Sequence, residues 1–169
     1  EADAYTATAA ALGLTTDVDL TTFNPFASAV DSTSADALAY ASKSAQIVAV
    51  ANTIAEAEAA AGGGDKDVIL GDALASIATQ ISGLGANQVV DINGAFVDAV
   101  ITAAAPQMNA DNALKTGVSG AVANVASSLQ AMTDVSTTGD LFYASQSLLV
   151  EASVEAASGG SSDVLNVLT

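Results

Sequence analysis

The sequence predicts an all-α fold, a bundle of roughly five to seven helices with a long alanine-rich central helix. Three observations lead to this prediction. Apolar residues recur at steps of three and four over most of the chain, which is the period of an amphipathic helix. Hydrophobic residues make up 51% of the 169 residues but aromatic residues only 4%, so the core must consist mainly of Ala, Val, Leu and Ile. Glycine, proline and serine cluster between the periodic stretches and separate them.

The first half of the chain contains three predicted helices. Residues 3–12 form a short helix that ends at Gly13, a residue type that is common just past a helix C-terminus. A long helix extends from its expected N-cap, Ser34, to about residue 61, where three glycines end it. The next helix covers about 66–82. The apolar stripes of the two longer helices are Tyr40, Lys43, Ile47, Val50 and Ile54, and Leu70, Leu74, Ile77, Ile81 and Leu84.

The middle of the chain contains the one strand-like stretch, QVVDING at 88–94. This stretch is also consistent with a lead into a helix over 94–104 that Asn93 caps. The inner face of that helix would consist of Phe96, Val97, Val100 and Ile101.

Pro106 suits the first turn of a further helix, which carries the clearest apolar stripe. Gly117 and Gly120 lie within it and cost about 1 kcal/mol each relative to alanine, so we expect a neighbouring helix to cross closely there. Another helix is predicted over about 140–158, and VLNVL closes the chain. The stripe of the helix after Pro106 is Val118, Val122, Val125, Leu129 and Met132.

The chain is predicted to be a single helical domain over residues 1–169, because its Gly- and Ser-rich joints are short. It begins at Glu1 directly on a helical pattern, without a signal-peptide pattern. We therefore expect it to be a fragment of a longer chain. No apolar run approaches the roughly 20 residues needed to span a bilayer, which predicts no membrane insertion.

Charge is the strongest compositional signal. The chain has 19 acidic residues, 3 lysines and a net charge of −16. Such a surface repels phosphate backbones and anionic lipids, so a nucleic-acid partner is excluded. The charge favours a solvated surface that keeps a secreted or salt-exposed protein soluble, with specific calcium binding as the alternative.

Residues for nucleophilic catalysis are scarce. The chain has no histidine and no cysteine, so the usual Ser-His and Cys-His pairs and thiolate metal sites cannot form. The Ser-Lys-Ser stretch at 42–44 is interpreted as a solvent-facing part of a helix. Paired carboxylates could hydrolyse glycosides, but Glu56 and Glu58, like Glu151 and Glu155, are interpreted as exposed helix charges. The sequence therefore predicts that the protein is not an enzyme.

Oxygen ligands in loops make calcium the candidate cofactor. An Asp163 loop near the C-terminus is a further place with clustered oxygens. Each position is also consistent with a helix cap or a turn. The candidate metal ligands are Asp17 and Asp19, Asp65 and Asp67, and Asp91 and Asn93.

Two of these loops resemble known calcium motifs. GGGDKDVIL resembles the nonapeptide of repeats-in-toxin proteins, although Asp65 stands where that motif has glycine and the motif occurs once, so it cannot build a β-roll. The stretch DING has the Asp-x-Asn-Gly opening of an EF-hand loop, but Thr102 occupies the closing position. Both loops favour helix caps over calcium.

The stretch ALGLTTDVDLTTFNPF resembles an alanine-rich helical segment of very large secreted or surface-anchored bacterial proteins. These are repeats-in-toxin adhesins and cadherin-like or hemolysin-type calcium-binding proteins. The resemblance covers about 10–54 and implies a module of a long extracellular chain, without implying an activity. The residues that carry it are Leu12-Gly13-Leu14, Val18-Asp19-Leu20-Thr21, Phe23-Asn24-Pro25, Gln46 and Asn52-Thr53.

The same stretch is predicted to be a structural hinge. Asn24-Pro25 sets a turn, and Phe23 and Phe26 are expected to close the end of the bundle. Asp19 is expected to accept hydrogen bonds from backbone amides in the loop.

Two hypotheses for function follow. The first is a non-enzymatic adhesion or self-assembly module of a secreted or cell-surface bacterial protein, whose partners are copies of itself or other surface proteins, with calcium as a candidate structural ion. The alternative is an extracellular glycan-binding or glycan-hydrolysing domain that uses carboxylates. A pocket lined by carboxylates with Tyr5, Tyr40 or Tyr143 would favour the alternative, whereas a long, flat, exposed apolar surface would favour the first.

Overall fold

The computed structural model describes residues 2–15, 18–27, 30–85 and 88–169. All regular secondary structure in these residues is helical, which confirms the all-α prediction. A short 3₁₀ turn, Val135–Thr137, precedes α7. The α-helices are α1 Ala2–Ala11, α2 Ala35–Ala60, α3 Lys66–Ser82, α4 Gly94–Ala104, α5 Pro106–Ala110, α6 Asn112–Gln130, α7 Thr138–Ala157 and α8 Asp163–Leu168.

The described residues contain eight α-helices, whereas the sequence predicted five to seven. One difference lies after Pro106, where a single helix was expected. Asp111 interrupts it, because its side chain accepts hydrogen bonds from the amides of Ala113 and Leu114 at 3.0 and 3.1 Å and starts α6. The strand-like residues 88–94 form no strand, and Asn93 caps α4 as the alternative interpretation predicted.

Helix α2 begins at Ser34, whose side chain accepts a hydrogen bond from the Ala37 amide at 3.3 Å. It ends before Gly62, a residue with a positive φ of 88° that few other residues adopt. Buried residues occur around most of its circumference between 49 and 58, because α3, α5, α6 and α7 all contact it. Most of these buried residues are small, and alanine permits helices to approach closely.

One hydrophobic cluster joins α2 to the helices from α3 to α8. The predicted stripe of α6 is confirmed, with Met132 packed at its edge. In α3 the buried face is centred on Ile69, Ala73 and Ile77, so the prediction for Leu74 is wrong and its side chain is exposed. The largest fully buried apolar side chains are Ile54, Ile101, Met108, Leu129, Leu149 and Leu165.

The expected close crossing at the glycines of α6 is present, and the crossing element is α8 with the chain end. A β-carbon added at Gly117 would lie 2.9 Å from Leu165 Cδ2, and one added at Gly120 would lie 3.0 Å from Thr169 Cγ2. Asn124 Nδ2 also donates hydrogen bonds to the carbonyls of Leu168 and Thr169, at 2.9 and 2.7 Å.

The loop between α1 and α2 contacts α2 at two points, Thr15 and Phe23. Asp36, in the first turn of α2, accepts hydrogen bonds from the backbone amide and hydroxyl of Thr15 at 2.7 and 2.9 Å. Asn24 Oδ1 accepts from the Phe26 amide at 3.0 Å, and the Phe23 ring packs edge-on against Tyr40. The expectation for Phe26 is wrong, because 66% of its side chain is exposed.

Candidate functional site

Asp65 and Asp67 lie at the start of α3. Asp65 is its N-cap and accepts hydrogen bonds from the amides of Asp67 and Val68 at 2.8 and 3.4 Å. Asp67 is exposed in the first turn, where a negative charge interacts favourably with the helix dipole. The capping interpretation therefore accounts for both residues.

Asp91 and Asn93 lie together before α4. Asn93 Nδ2 donates to Asp91 Oδ2 at 2.8 Å, while Asn93 Oδ1 accepts from the Phe96 amide at 3.0 Å. The helix begins at Gly94, so the extended loop of an EF-hand does not form here. Asp91 instead lines a cavity of about 340 Å³ between the end of α3 and the start of α4.

Asp19 forms the predicted turn. Its Oδ1 accepts hydrogen bonds from the hydroxyl and amide of Thr21 at 2.6 and 2.9 Å, and these bonds lower the pKa of Asp19. Asp17 lies outside the described residues. No group of three or more acidic side chains in the described ranges is arranged to hold a metal ion, and calcium binding stays a prediction.

Glu58 is not an exposed helix charge as predicted. It is fully buried at the C-terminal end of α2. Its Oε1 and Oε2 accept hydrogen bonds from the amides of Gln107 and Met108 at 2.9 and 2.8 Å. These are free amides at the N-terminus of α5, so the carboxylate caps that helix from another element.

The interpretation of residues 42–44 as solvent-facing is also wrong for Ser42 and Lys43, which are buried. Lys43 Nζ donates to Gln46 Oε1 at 3.2 Å, and Gln46 Nε2 donates to Ser42 Oγ and to the Ala126 carbonyl of α6. Burial lowers the pKa of Lys43, and the negative charge of Asp91 acts in the opposite direction.

A groove of about 640 Å³ lies between α2, α3 and α7. We call it the α7 groove. Its lining combines aliphatic side chains, neutral polar side chains, three carboxylates, one lysine and one tyrosine. The lining residues are Asn52, Ala55 and Glu56 of α2, Lys66, Asp67 and Leu70 of α3, and Tyr143, Gln146, Ser147, Val150, Glu151 and Val154 of α7.

The charges in the α7 groove are unequally paired. Lys66 Nζ lies 3.0 Å from Glu56 Oε1, and this hydrogen-bonded ion pair raises the pKa of Lys66. Asp67 also acts on Lys66 through its charge. Glu151, by contrast, makes no hydrogen bond or ion pair with the described residues. The groove therefore has a negative excess next to Tyr143, whose side chain is 73% exposed.

A second, more apolar groove of about 350 Å³ lies on the other side of Tyr143. Its exposed members include Phe26 and Val48, and Phe142 packs edge-on against Tyr143. We call it the Phe26 groove. Its lining residues are Phe26, Ala41, Ser44, Ala45, Val48, Gly139, Phe142 and Tyr143.

The groove residues come from stretches that are far apart in the sequence. The sequence predicts Tyr143 as a residue of a glycan pocket and Asp67 as a metal ligand, but it does not predict that they share one groove. Within the parts of the chain that the structure describes, no helix is long and apolar enough to cross a membrane. Comparisons with protein-family models, with curated proteins and with solved structures give no significant match to this chain.

Proposed function

We propose that this chain is a non-enzymatic adhesion module of a secreted or cell-surface bacterial protein, which binds its ligand in the α7 groove. The observation that carries this proposal is the groove itself. Its volume of about 640 Å³ lies within the range of roughly 300–1,000 Å³ that is typical of ligand pockets. Aliphatic side chains combined with a few polar groups are the usual lining of such pockets.

The proposed scaffold for this groove is one helical bundle centred on the alanine-rich α2. All three helices that form the groove contribute to the same hydrophobic cluster. A groove between packed helices keeps its shape better than one built from loops, which suits a module that binds without chemistry.

The carboxylates support binding rather than catalysis. Both oxygens of Glu58 accept backbone hydrogen bonds, and the residue is inaccessible. Glu56 is paired with Lys66. A glycosidase needs one carboxylic acid and one carboxylate on opposite sides of the scissile bond. Asp67 and Glu151 are the groove carboxylates that remain free of both kinds of contact, and both are exposed, whereas a general acid needs apolar surroundings.

Self-association is a second candidate function, and the Phe26 groove favours it. Phe26, Val48 and Tyr143 expose 66%, 41% and 73% of their side chains around one concave surface. Exposed apolar patches of this kind often mark interaction sites. The net charge of −16 opposes contact between copies, so assembly through this groove would require salt or a high local concentration.

Calcium binding by the aspartate loops is the third part of the proposal. The excess of acidic residues and the resemblance to calcium-dependent surface proteins support it. The capping hydrogen bonds leave further lone pairs on Asp65, Asp91 and Asn93, because each carboxylate or amide oxygen accepts more than one bond.

The adhesion proposal is tested by binding of the labelled chain to immobilised extracellular material. The panel contains neutral, anionic and cationic glycans and the chain itself. We expect binding that Tyr143→Ala or Glu151→Gln weakens. Glu155→Gln is the matched control, because it removes the same charge from the same helix outside the groove. Binding to no surface, or equal binding by all variants, would contradict the proposal.

A further inference from the structure

We propose that the ligand of the α7 groove is a cationic oligosaccharide, namely a chain of amino sugars with free primary ammonium groups. This inference rests on the proposed function, since it names the ligand class of the same groove. Three features of the groove lead to it: the exposed tyrosine ring, the neutral polar side chains and the free carboxylate.

The tyrosine provides a surface for a sugar ring. Tyr143 is the most exposed aromatic side chain among the described residues, and it forms one wall of the groove. Its ring face can pack against the C–H face of a pyranose, and Val150 and Leu70 continue the apolar lining. A flat ligand with one apolar face matches this arrangement.

Neutral hydrogen-bonding groups surround this apolar lining. Asn52, Gln146 and Ser147 add two amides and one hydroxyl to the groove. Amides both donate and accept hydrogen bonds. They therefore suit a ligand with many hydroxyl groups, each of which can both donate and accept a hydrogen bond.

The charge of the groove selects among glycans. Glu151 has no partner among the described residues, and the one lysine of the lining is already paired with Glu56. A neutral sugar can donate hydroxyl hydrogen bonds to Glu151 but brings no opposite charge to it, so it compensates the carboxylate less fully than a cation does. A uronate or sulfated sugar would be repelled by the groove and by the net charge of −16.

An ammonium group on the sugar resolves this conflict. It can donate a charge-assisted hydrogen bond to Glu151 and approach the face of the Tyr143 ring, where cations are attracted. Asp67 lies in the same groove and adds to the attraction. An oligosaccharide also places ammonium groups at successive rings, so that the same chain can reach both carboxylates.

Calorimetric titration tests the inference with two oligomers of equal length, a glucosamine tetramer and its fully N-acetylated form. Because a hydrogen bond from an ammonium group to a carboxylate is charge-assisted, we expect the free amine form to bind about tenfold more tightly, which corresponds to about 1.4 kcal/mol. Glu151→Gln should remove most of this preference. Tyr143→Ala should weaken both oligomers. Glu155→Gln should change neither, and circular dichroism confirms that all variants are folded.

Every other outcome refutes a specific part of the proposal. Equal affinity for both tetramers, lost in Tyr143→Ala, refutes the cationic ligand but leaves the groove as the binding site. If tetralysine binds as tightly with the same dependence on Glu151, the ligand is a basic peptide and not a sugar. If Glu155→Gln weakens binding as much as Glu151→Gln, binding reflects net charge, and the groove fails for both proposals. Binding of neither tetramer refutes the inference, while the surface panel still tests the adhesion function separately.

Discussion

Glu58 links the end of α2 to the start of α5. It is the one acidic residue among the fully buried side chains in the described part of the chain. Its two oxygens satisfy two amides that the geometry of α5 leaves without helical partners. Gly63 leaves room for this arrangement, because a β-carbon there would clash with Glu58 Oε1. The buried carboxylate thus fixes the α4–α5 corner against the long helix.

The first prediction concerns this carboxylate. Glu58→Gln keeps the shape of the side chain but turns an NH₂ group towards the amide of Gln107 or Met108. That buried amide then has no hydrogen-bond acceptor. We expect the free energy of unfolding to fall by about 2–4 kcal/mol, measured by urea denaturation. Glu56→Gln is the matched control two residues away. It breaks a partly exposed ion pair and should cost less than about 1 kcal/mol. Similar losses in both variants would refute the capping role.

The second prediction concerns Lys43, whose pKa burial lowers below 10.5. Between its folded pKa and 10.5 the unfolded chain binds the proton and the folded chain does not, so this residue makes stability rise with pH. Lys43→Met should remove that rise. Lys66 is a control with the opposite dependence of stability on pH, because its pKa is raised in the folded chain. Its stabilising contribution is present below 10.5 and is lost as pH rises through the folded pKa.

Thermal unfolding between pH 8 and 11 distinguishes these two lysines. The melting temperature of each variant is compared with that of the unsubstituted chain at every pH, so that the titration of all other groups cancels. Stability of Lys43→Met should rise less with pH than that of the unsubstituted chain, and stability of Lys66→Met should fall less. Identical slopes for all three proteins would show that burial does not shift the ionisation of Lys43.

At the scale of elements, the contact of α6 with α8 depends on the absence of a side chain. Gly117→Ala places a methyl group 2.9 Å from Leu165 Cδ2, and Leu165 is itself buried and cannot move into solvent. Overpacking of this kind typically costs about 1–3 kcal/mol, so we expect no net gain or a loss of stability. Gly71→Ala is the control in α3, where an added β-carbon meets nothing within 4 Å. It should stabilise by about 0.5–1 kcal/mol, and both are measured by urea denaturation.

Hydrophobic periodicity and cap residues predicted several elements well, because they are local properties. Ser34, Asn93 and the α6 stripe lie where expected. Periodicity failed where burial depends on distant elements. Ser42 and Lys43 are buried because α2 has neighbours on several sides, and no local pattern distinguishes such a helix from one with a solvent face.

At the scale of the molecule, the candidate site could not be derived from the sequence. Residues 52–56, 66–70 and 143–154 meet in the α7 groove only after three helices have packed. The sequence could rank the carboxylates and tyrosines as binding groups, but it could not place Glu151 and Tyr143 in one groove. It could equally not show that Glu58 lies inside the core, since a glutamate near a helix end is normally solvated.

The final prediction separates the diffuse charge of the molecule from specific ion sites. With a net charge of −16, the folded chain repels itself more than the expanded chain does. Sodium chloride should therefore raise the melting temperature gradually as it screens this repulsion. Magnesium should act through the same screening at equal ionic strength. If the aspartate loops bind calcium as proposed, calcium adds a further increment that grows with the logarithm of its concentration and reaches about 2.7 kcal/mol at 100 times the dissociation constant.

Two variants test whether the stabilisation by calcium arises from an ion bound at Asp91. Asp91→Asn retains an oxygen for the hydrogen bond from Asn93 but removes the charge, so the excess of calcium over magnesium should fall. Asp72→Asn removes a charge from an exposed position of α3. This variant should leave the excess effect of calcium over magnesium unchanged. If calcium and magnesium raise the melting temperature equally in all three proteins, Asp91 holds no calcium and its hydrogen bond from Asn93 is part of the turn before α4. The aspartates then act as caps and turns, and the charge of the chain serves solubility.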